Sequence, residues 1–382
     1  MPNRDILSLD FYGEGVTAAL ACLDETTDTL RIRRVLRLPS KAFSGAFVRD
    51  RVGAQDDLAR VFEDMSRYIS VSPSVIVGVR GNFLSFSHST GFTYTQAHNH
   101  IIRASDIENA VQASLPANLD ESLEVVDILP LSYIIDDQPG ATDPKGMCGC
   151  CLGAETFISL GVKTHLANLN SVLAACGCED YLWLPSSIAL GETTLSPAEK
   201  SASCLVADIG ENSISALLYY KDSLLDGWEL PFGLDRVAEN VADQLQNDVP
   251  TALQILRTYE PDPVMDEVIE EASATLVDAL HKELVQSLAY IQHPPTQLVL
   301  CGQGAWPIMQ KLLKNKLGAR KARLCSFDKL IADCDIDHPQ YDGTLALLQH
   351  ALAREKSQLG VAQVKEEGLL GKLFTKLGFN VF

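Results

Sequence analysis

The sequence predicts an α/β protein in which one strand-rich unit occurs twice. A small α+β subdomain is inserted in the first copy, and an amphipathic helix ends the chain. The order strand, acidic residue, polar turn, strand, turn, strand occurs around Asp10 and again around Asp208. A repeat of this length indicates a duplicated supersecondary unit. The last residues, 368–382, combine Leu, Phe and Lys without any acidic residue, which is typical of an amphipathic helix.

The composition describes a protein with a large core and an acidic balance. Of its 382 residues, 46% are hydrophobic and 21% are charged, and the formal net charge is −19. These values exclude intrinsic disorder and, at roughly 150 residues per domain, suggest two or three domains. They argue against binding to nucleic acid or broad adhesion to anionic membrane, which need clustered Lys and Arg. No signal-like segment follows Met1, and no apolar run approaches the roughly 18 residues of a spanning helix, so we expect a soluble body.

The first copy is predicted as three strands, a helix and a fourth strand. Its first strand, Ile6–Leu9, ends on Asp10 and is followed by a glycine-containing turn. Apolar residues at helical spacing predict the helix. The other elements of this copy are expected at Val16–Leu23, Leu30–Leu36, Ala54–Ile69, Ser74–Val79, Thr164–Ala175 and Tyr181–Leu184.

The second copy repeats this order about two hundred residues later. Its first strand, Cys204–Ala207, ends on Asp208. A continuous helix is expected over Pro263–Gln292, after the second copy of the repeat. The other elements are expected at Ser213–Tyr220, Leu224–Leu230, Leu234–Leu245, Leu298–Cys301, Ala305–Leu317 and Asp342–Ala353.

These elements predict a division of the chain into lobes and an insertion. The insertion contains a helix over Ser105–Ala113, with Ser105 as its cap and Glu108 at the capping-box position. The predicted parts are a first lobe (1–80 and 158–198), an inserted subdomain (81–157), a second lobe (199–234 and 293–353), a reduced helical subdomain (235–292), a linker (354–367) and a membrane-targeting helix (368–382).

The two aspartates suggest a ligand cleft between the copies. In open α/β sheets, ligands bind at strand ends, where turn amides and carboxylates converge. Two facing copies would place Asp10 and Asp208 on opposite walls, which suits a metal-bound phosphate group. Each aspartate taken alone could instead cap its own turn.

Several motifs resemble a known family over essentially the whole chain. The stretches Ile6–Asp10, Val206–Gly210 and Leu300–Gly304 resemble the two phosphate loops and the adenosine loop of the actin-like ATPase superfamily. The heptapeptide Asp143–Gly149 resembles the Asp-Pro-x-Gly-Met-x-Gly signature of the FtsA family of bacterial cell-division proteins, and Gly45 through Asp50 fits its Gly-x-x-x-x-Asp segment. The chain is identified as a divergent member of that family.

The resemblance implies a duplicated actin-like, ribonuclease-H-like fold with an inserted SHS2-type subdomain. It implies a cell-division scaffold that tethers an FtsZ-type polymer to the cytoplasmic face of the inner membrane, recruits septal proteins and self-associates into actin-like polymers. Its ligands would be ATP and Mg²⁺. The implied nucleotide-binding residues are Asp10, Gly13, Asp208, Gly210, Ser213, Gly233, Gly302 and Gly304.

The phosphate loops depart from the family pattern. The first loop has Tyr12 and Glu14 where the family has small residues, and the second has Glu211 in place of a glycine. A carboxylate about 4 Å from a phosphate costs roughly 1–4 kcal/mol per charge pair at effective dielectric constants of 80 to 20. We therefore expect ATP binding to be weak or lost and enzymatic turnover to be doubtful. In the alternative, backbone amides hold Mg-ATP while both carboxylates turn away.

The C-terminal segment predicts a membrane anchor. About fifteen helical residues span about 22 Å, too short to cross the roughly 30 Å core, so the helix would lie in the interface. An apolar C-terminal helix that packs on its own domain is the ordinary alternative. The predicted membrane-binding residues are Leu370, Lys372, Leu373, Phe374, Lys376, Leu377, Phe379 and Val381.

Two other functions remain open. One is an active actin-like ATPase that forms its own polymer, and the other is a PilM-like cytoplasmic platform of type IV pilus assembly. No catalytic constellation is evident. The ten cysteines, including Cys148, Cys150 and Cys151, are expected as reduced, small buried residues rather than a metal site.

Overall fold

A computed structural model of the protein describes residues 4–24, 29–70, 72–291, 294–327, 330–336 and 338–359. In the first half, the elements are β1 (Arg4–Tyr12), β2 (Gly15–Asp24), β3 (Thr29–Pro39), β4 (Phe43–Ser44), β5 (Phe47–Val48), α1 (Arg51–Ser66), β6 (Ser74–Val79), β7 (Leu84–Tyr94), α2 (Ala104–Ala113), β8 (Leu123–Ile135), β9 (Gln138–Ala141), β10 (Cys151–Val162), α3 (Lys163–Ala175), β11 (Leu182–Pro185), α4 (Ser186–Thr194) and α5 (Pro197–Ser201).

The second half continues with strands β12 to β17 and helices α6 to α11. The elements are β12 (Cys204–Ile209), β13 (Ile214–Tyr220), β14 (Ser223–Leu230), α6 (Leu234–Leu245), α7 (Val249–Arg257), α8 (Pro263–Ala272), α9 (Ala274–Ile291), β15 (Gln297–Cys301), α10 (Pro307–Leu317), β16 (Lys321–Leu324), β17 (Leu330–Ala332) and α11 (His338–Leu359).

The chain forms two compact units. Within the part of the chain that the structure describes, the main unit combines residues 4–83 with 165–350, and the inserted unit combines 84–164 with 351–359. Each has its own buried apolar core.

The main unit confirms the duplication. Its first sheet has the order β11-β6-β1-β2-β3-β17, and its second has β14-β13-β12-β15-β16. The strands from β11 to β3 in the first sheet correspond, one by one, to the strands from β16 to β14 in the second sheet. In both, the first strand of the repeat pairs antiparallel with the second and parallel with a later strand. These central strands are buried on both faces, which explains why they are apolar runs without alternation.

The inserted unit is a four-stranded antiparallel sheet with one helix. Its order is β7-β10-β8-β9, and α2 packs on β7 and β10. Gly91 permits this contact, because an added Cβ there would lie 2.1 Å from the backbone nitrogen of Ser114. The predicted α/β fold with an inserted α+β subdomain is therefore confirmed.

Two predicted elements, the first strand and the helix of the inserted unit, differ in detail. Strand β1 continues past Asp10 to Tyr12. Helix α2 begins one residue earlier than predicted, and its first turn is closed by the Asp106 carboxylate, which accepts from the backbone N–H of Arg103 at 2.9 Å. The predicted cap Ser105 is wrong because it lies inside the helix.

The expected helix over Pro263–Gln292 is two helices, because the chain turns at Ser273 between α8 and α9. Residues 234–291, all of them described, contain helices and no strand.

The C-terminal region was predicted incompletely. Helix α11 runs to Leu359, so residues 354–359, which were assigned to the linker, are helical. The Arg354 guanidinium pairs with the buried Asp127 carboxylate of β8 at 2.7 Å, which holds the end of this helix in the inserted unit. The rest of the predicted linker and the predicted anchor helix 368–382 lie outside the described residues. Among the described helices, none combines the length and apolar character that crossing a bilayer requires.

Candidate functional site

The predicted aspartate pair occupies equivalent positions in the two sheets of the main unit. Asp10 on β1 lies opposite a hydroxyl residue of β2, and Asp208 on β12 lies opposite a hydroxyl residue of β13. Both side chains are buried, with residue exposures of 2% and 3%. The duplication therefore brings the two carboxylates to one cleft.

The side chain of Arg80 lies between the two aspartates. Its Nη2 and Nε atoms donate to the two carboxylate oxygens of Asp10 at 2.5 and 3.3 Å, and its Nη1 donates to Asp208 at 2.7 Å. Burial alone would lower the pKa of Arg80, but the charges of Asp10 and Asp208 outweigh it and hold the pKa above its ordinary value. The chain itself thus supplies the cation between the paired carboxylates.

Arg80 is not among the residues predicted for the site. It lies at the predicted border between the first lobe and the inserted subdomain, and it directly follows β6. Strand β6 is the parallel neighbour of β1, so its carboxyl end opens on the same edge of the sheet as Asp10. The strand-end rule that selected the aspartates could have selected this arginine as well.

Two further buried carboxyl groups flank the ion pairs. Glu229 accepts hydrogen bonds from the Ser215 hydroxyl at 2.7 Å and from the Gly81 backbone N–H at 3.2 Å. Burial raises the pKa of Glu229 to about 8. Asp342 accepts from the Gly302 backbone N–H at 3.0 Å, and burial raises its pKa to about 7. One arginine therefore lies among four buried acids, and burial favours the protonated form of these two.

Glu211 fills the adjoining part of the cleft. Its Oε1 atom accepts from Arg37 and from Arg257, both at 2.8 Å, and the Arg37 guanidinium lies 4.4 Å from the Tyr12 ring centroid. An added Cβ at Gly13 would lie 2.6 Å from the Glu211 side chain. The expected repulsion between this carboxylate and a phosphate is therefore offset by two arginines, and the remaining obstacle is the space that Glu211 occupies.

Glu14 behaves differently from Glu211. It pairs with Arg49 at 3.0 Å, and the two side chains are 54% and 46% exposed. Its carboxylate is therefore solvated at the rim of the cleft.

Most of the sequence-predicted nucleotide residues meet in this cleft. Those that line it are Asp10, Gly13, Asp208, Gly210, Ser213 and Gly302. Gly233 and Gly304 lie behind the lining, where an added Cβ would come within 2.4 Å of the Gly210 carbonyl and of the Ile209 side chain, respectively. The absence of a side chain at these two glycines allows the loops to pack closely.

Helix α11 covers the ion pairs through Gly343. An added Cβ at this position would lie 2.1 Å from Nη2 of Arg80 and 2.2 Å from Oδ2 of Asp10. Only a glycine allows the helix to lie this close to the paired groups.

In this conformation the residues of the cleft leave no room for Mg²⁺ with a nucleoside triphosphate. The cavity between the lining residues is about 20 Å³, room for about one water molecule. A magnesium-bound phosphate would need the aspartate oxygens that Arg80 holds and the space that Glu211 fills.

The cysteines are partly as predicted. Cys22, Cys178, Cys204 and Cys301 are buried, and all ten are free thiols. Cys148 and Cys150 are exposed, contrary to the prediction, because the signature loop that carries them lies at the surface of the inserted unit. The described residues contain no group of three or more His, Cys, Asp or Glu side chains suited to a metal ion.

Comparison with known proteins supports the resemblance. Residues 81–159 match the family described as the SHS2 domain inserted in FTSA. Cell division protein FtsA of Bacillus subtilis (strain 168) is 23% identical over 359 residues, which cover 87% of this chain and 80% of that protein. Cell division protein FtsA of Neisseria meningitidis serogroup B (strain ATCC BAA-335 / MC58) is 22% identical over 248 residues, covering 64% of this chain and 59% of that protein.

A solved structure shares the fold. The chain from the PilM-PilN type IV pilus biogenesis complex superposes with a TM-score of 0.63, covering 92% of this chain and 99% of that chain at 16% identity. At this identity the similarity concerns the fold alone. The chain therefore contains an SHS2 domain of the kind inserted in FTSA, and it is similar to FtsA proteins along most of its length.

Proposed function

We propose that this chain is a cell-division scaffold that works without a cycle of ATP binding and hydrolysis. In this proposal its body binds an FtsZ-type polymer, self-associates and recruits septal membrane proteins, while residues 368–382 tether it to the cytoplasmic face of the inner membrane at the division site. Its similarity to FtsA supports the role in division. The observation that carries the nucleotide-independent part is the Arg80 side chain paired with both Asp10 and Asp208.

The energetics of this ion pair oppose ATP. A magnesium-bound phosphate could enter only if Arg80 left both carboxylates. Separation of the partners of a buried ion pair costs typically about 3–5 kcal/mol. A ligand that would otherwise bind with a Kd of about 1 μM, or about −8.2 kcal/mol, would then bind with a Kd of about 1 mM.

Two alternatives have some support. The similarity to FtsA proteins and the resemblance to the actin-like ATPase superfamily support nucleotide and magnesium binding as an alternative, and an active ATPase would need Arg80 to leave the cleft. A PilM-like platform is compatible with the shared fold. ATP binding tests the first alternative, and membrane binding through the tail tests the second.

The first experiment titrates the full-length protein with a fluorescent ATP analogue in the presence of MgCl₂. We expect no saturation below about 1 mM, because the ligand would have to separate Arg80 from Asp10 and Asp208. Arg49→Ala serves as a control. It removes an arginine that pairs with the exposed Glu14 at the rim, and it should leave the titration unchanged. A micromolar Kd for the unaltered chain would contradict the nucleotide-independent proposal.

The second experiment measures sedimentation with anionic vesicles. Deletion of 368–382 is expected to leave a folded protein that no longer sediments with the vesicles, because the Lys residues and the apolar face of the tail are lost. Circular dichroism of the truncated protein checks the fold. Unchanged sedimentation would remove the tethering role and favour a platform protein.

A further inference from the structure

The inserted unit carries a cluster of exposed apolar side chains at one end. Phe92, Tyr94, Ile101 and Met147 are 53%, 79%, 37% and 47% exposed. Tyr94 is in register with the first residue of β10, and Ile101 forms a bridge with Cys148, next to Met147. Among the described residues of this unit, these four are the large apolar side chains with high exposure. Such a cluster at one end of a small domain is typical of an interaction surface.

Part of this cluster lies on the face of the sheet opposite to helix α2. Helix α2 covers the face to which Gly91 points, and Phe92 points to the other face because side chains alternate along a strand. The Phe92 ring lies over Gly153, where an added Cβ would come within 2.6 Å of it, and beside Ile134. We call Phe92, Tyr94, Ile134 and Gly153 the open face.

The surroundings of the open face are acidic. Residues 84–164 contain ten acidic residues against three basic ones, a formal charge of −7. Glu155 lies two residues from Gly153 on the same strand, so it is on the same side of the sheet. Residues 368–382 carry Lys372 and Lys376 and no acidic residue, so their charge complements this surface.

The C-terminal segment starts within reach of the open face. Helix α11 ends at Leu359, and Arg354 fixes its last turns to Asp127 of β8. Asp127 of β8 and Phe86 of β7 are in register with the same residue of β10. Phe86 is eight residues from Tyr94 on β7, so Asp127 and Tyr94 are about 27 Å apart along the sheet. The ten residues 360–369 can span up to about 33 Å when extended, so the apolar residues that follow can reach this end.

We propose that residues 368–382 pack their apolar side on the open face when no membrane is present. The occupant is this chain's own tail, with Leu370, Leu373, Phe374 and Leu377 against Phe92 and Tyr94, and its lysines toward Glu155. The inference rests on the proposed function in one respect, namely that the same tail binds membrane. Lipid and the open face then compete for one set of side chains, and the open face weakens membrane binding.

The competition predicts that damage to the open face strengthens membrane binding. In the full chain, Phe92→Ser combined with Tyr94→Ser is expected to increase the affinity for vesicles of phosphatidylglycerol and phosphatidylcholine about tenfold. Both residues are exposed, so the fold should tolerate the changes. Val264→Ser, at a 72% exposed position on α8, is the matched control and should leave the affinity unchanged.

A lipid-free measurement tests the contact itself. Phe374→Cys is introduced into the full chain, which is treated with a short bismaleimide and mapped by mass spectrometry. We expect an intramolecular cross-link from position 374 to Cys148 or Cys150, which are exposed near Tyr94, and at least a tenfold loss of that cross-link in the double serine variant. Absence of the cross-link, or a cross-link between two chains only, overturns the proposal.

The two assays separate this inference from the proposed function. If deletion of 368–382 abolishes vesicle binding but the open-face variant changes neither assay, the tether stands and the docking is refuted. If the cross-link forms but neither the full chain nor the open-face variant binds vesicles, the docking contact stands and the tether is refuted.

Discussion

The two copies of the repeat share a topology but contribute different charges to the cleft. The first copy supplies Arg37, Arg80 and Asp10, and the second supplies the carboxylates of Glu211 and Asp208 that pair with these arginines. Strand order and aspartate position are retained in both copies. Duplication therefore fixes where side chains converge, while the residue types at those positions decide whether the cleft binds a ligand or forms ion pairs within itself.

The largest expected effect comes from removal of the shared cation. Arg80→Met should lower the free energy of unfolding by about 3–5 kcal/mol, because it leaves Asp10 and Asp208 buried without their partner. Urea denaturation measures the change. Arg31→Ala is the control, because the Arg31–Asp333 pair is exposed and should contribute less than about 1 kcal/mol. Equal losses in both variants would mean that Arg80 does not hold the two copies together.

A smaller effect is expected at the second phosphate loop. Glu211→Gly restores the small residue typical of the family but removes the partner of Arg37 and Arg257, whose hydrogen bonds to it are 2.8 Å long. We expect a loss of about 1–3 kcal/mol in the free energy of unfolding. Arg49→Ala, which breaks the exposed pair at the first loop, should cost less than about 1 kcal/mol. A reversed order of the two losses would contradict the contrast between the loops.

The last effect is a pH dependence carried by Glu229 of the second copy, which is gradual and changes stability by at most about 1.4 kcal/mol per pH unit. Burial raises its folded-state pKa to about 8, well above the ordinary value of about 4.3, so the folded protein binds a proton that the unfolded chain releases. The stability due to this proton is fully present below about pH 4 and is lost as the pH rises to about 8.

Glu229→Gln should therefore flatten the fall of stability with pH. Between pH 5 and 8, the free energy of unfolding of the unaltered protein should decrease more steeply than that of the variant, by up to about 1.4 kcal/mol per pH unit. Asp342, whose pKa is raised in the same direction, is present in both proteins and cancels in the difference. Parallel pH profiles would show that Glu229 is ionised in the fold.

The sequence predicted the parts of this site that depend on repetition. Asp10 and Asp208 were found because each ends an apolar run in a recurring order, and apolar patterning sets strand position. Arg80 also follows a strand end, but its pairing was missed because its partners lie 70 and 128 residues away. Glu211 was recognised as an obstacle, but the two arginines that neutralise it come from β3 and α7. Ion pairs between distant segments depend on packing, which periodicity does not encode.

Gly343 also sets the local dielectric constant of the Arg80 pairs. The closer a helix lies over two opposite charges, the less water can reorient around them, and the stronger their attraction becomes. A single hydrogen atom in place of a side chain on α11 thus strengthens the attraction of Arg80 for Asp10 and Asp208. The same atom makes the attraction adjustable, because one added methyl group would lift the helix and admit water to the charges.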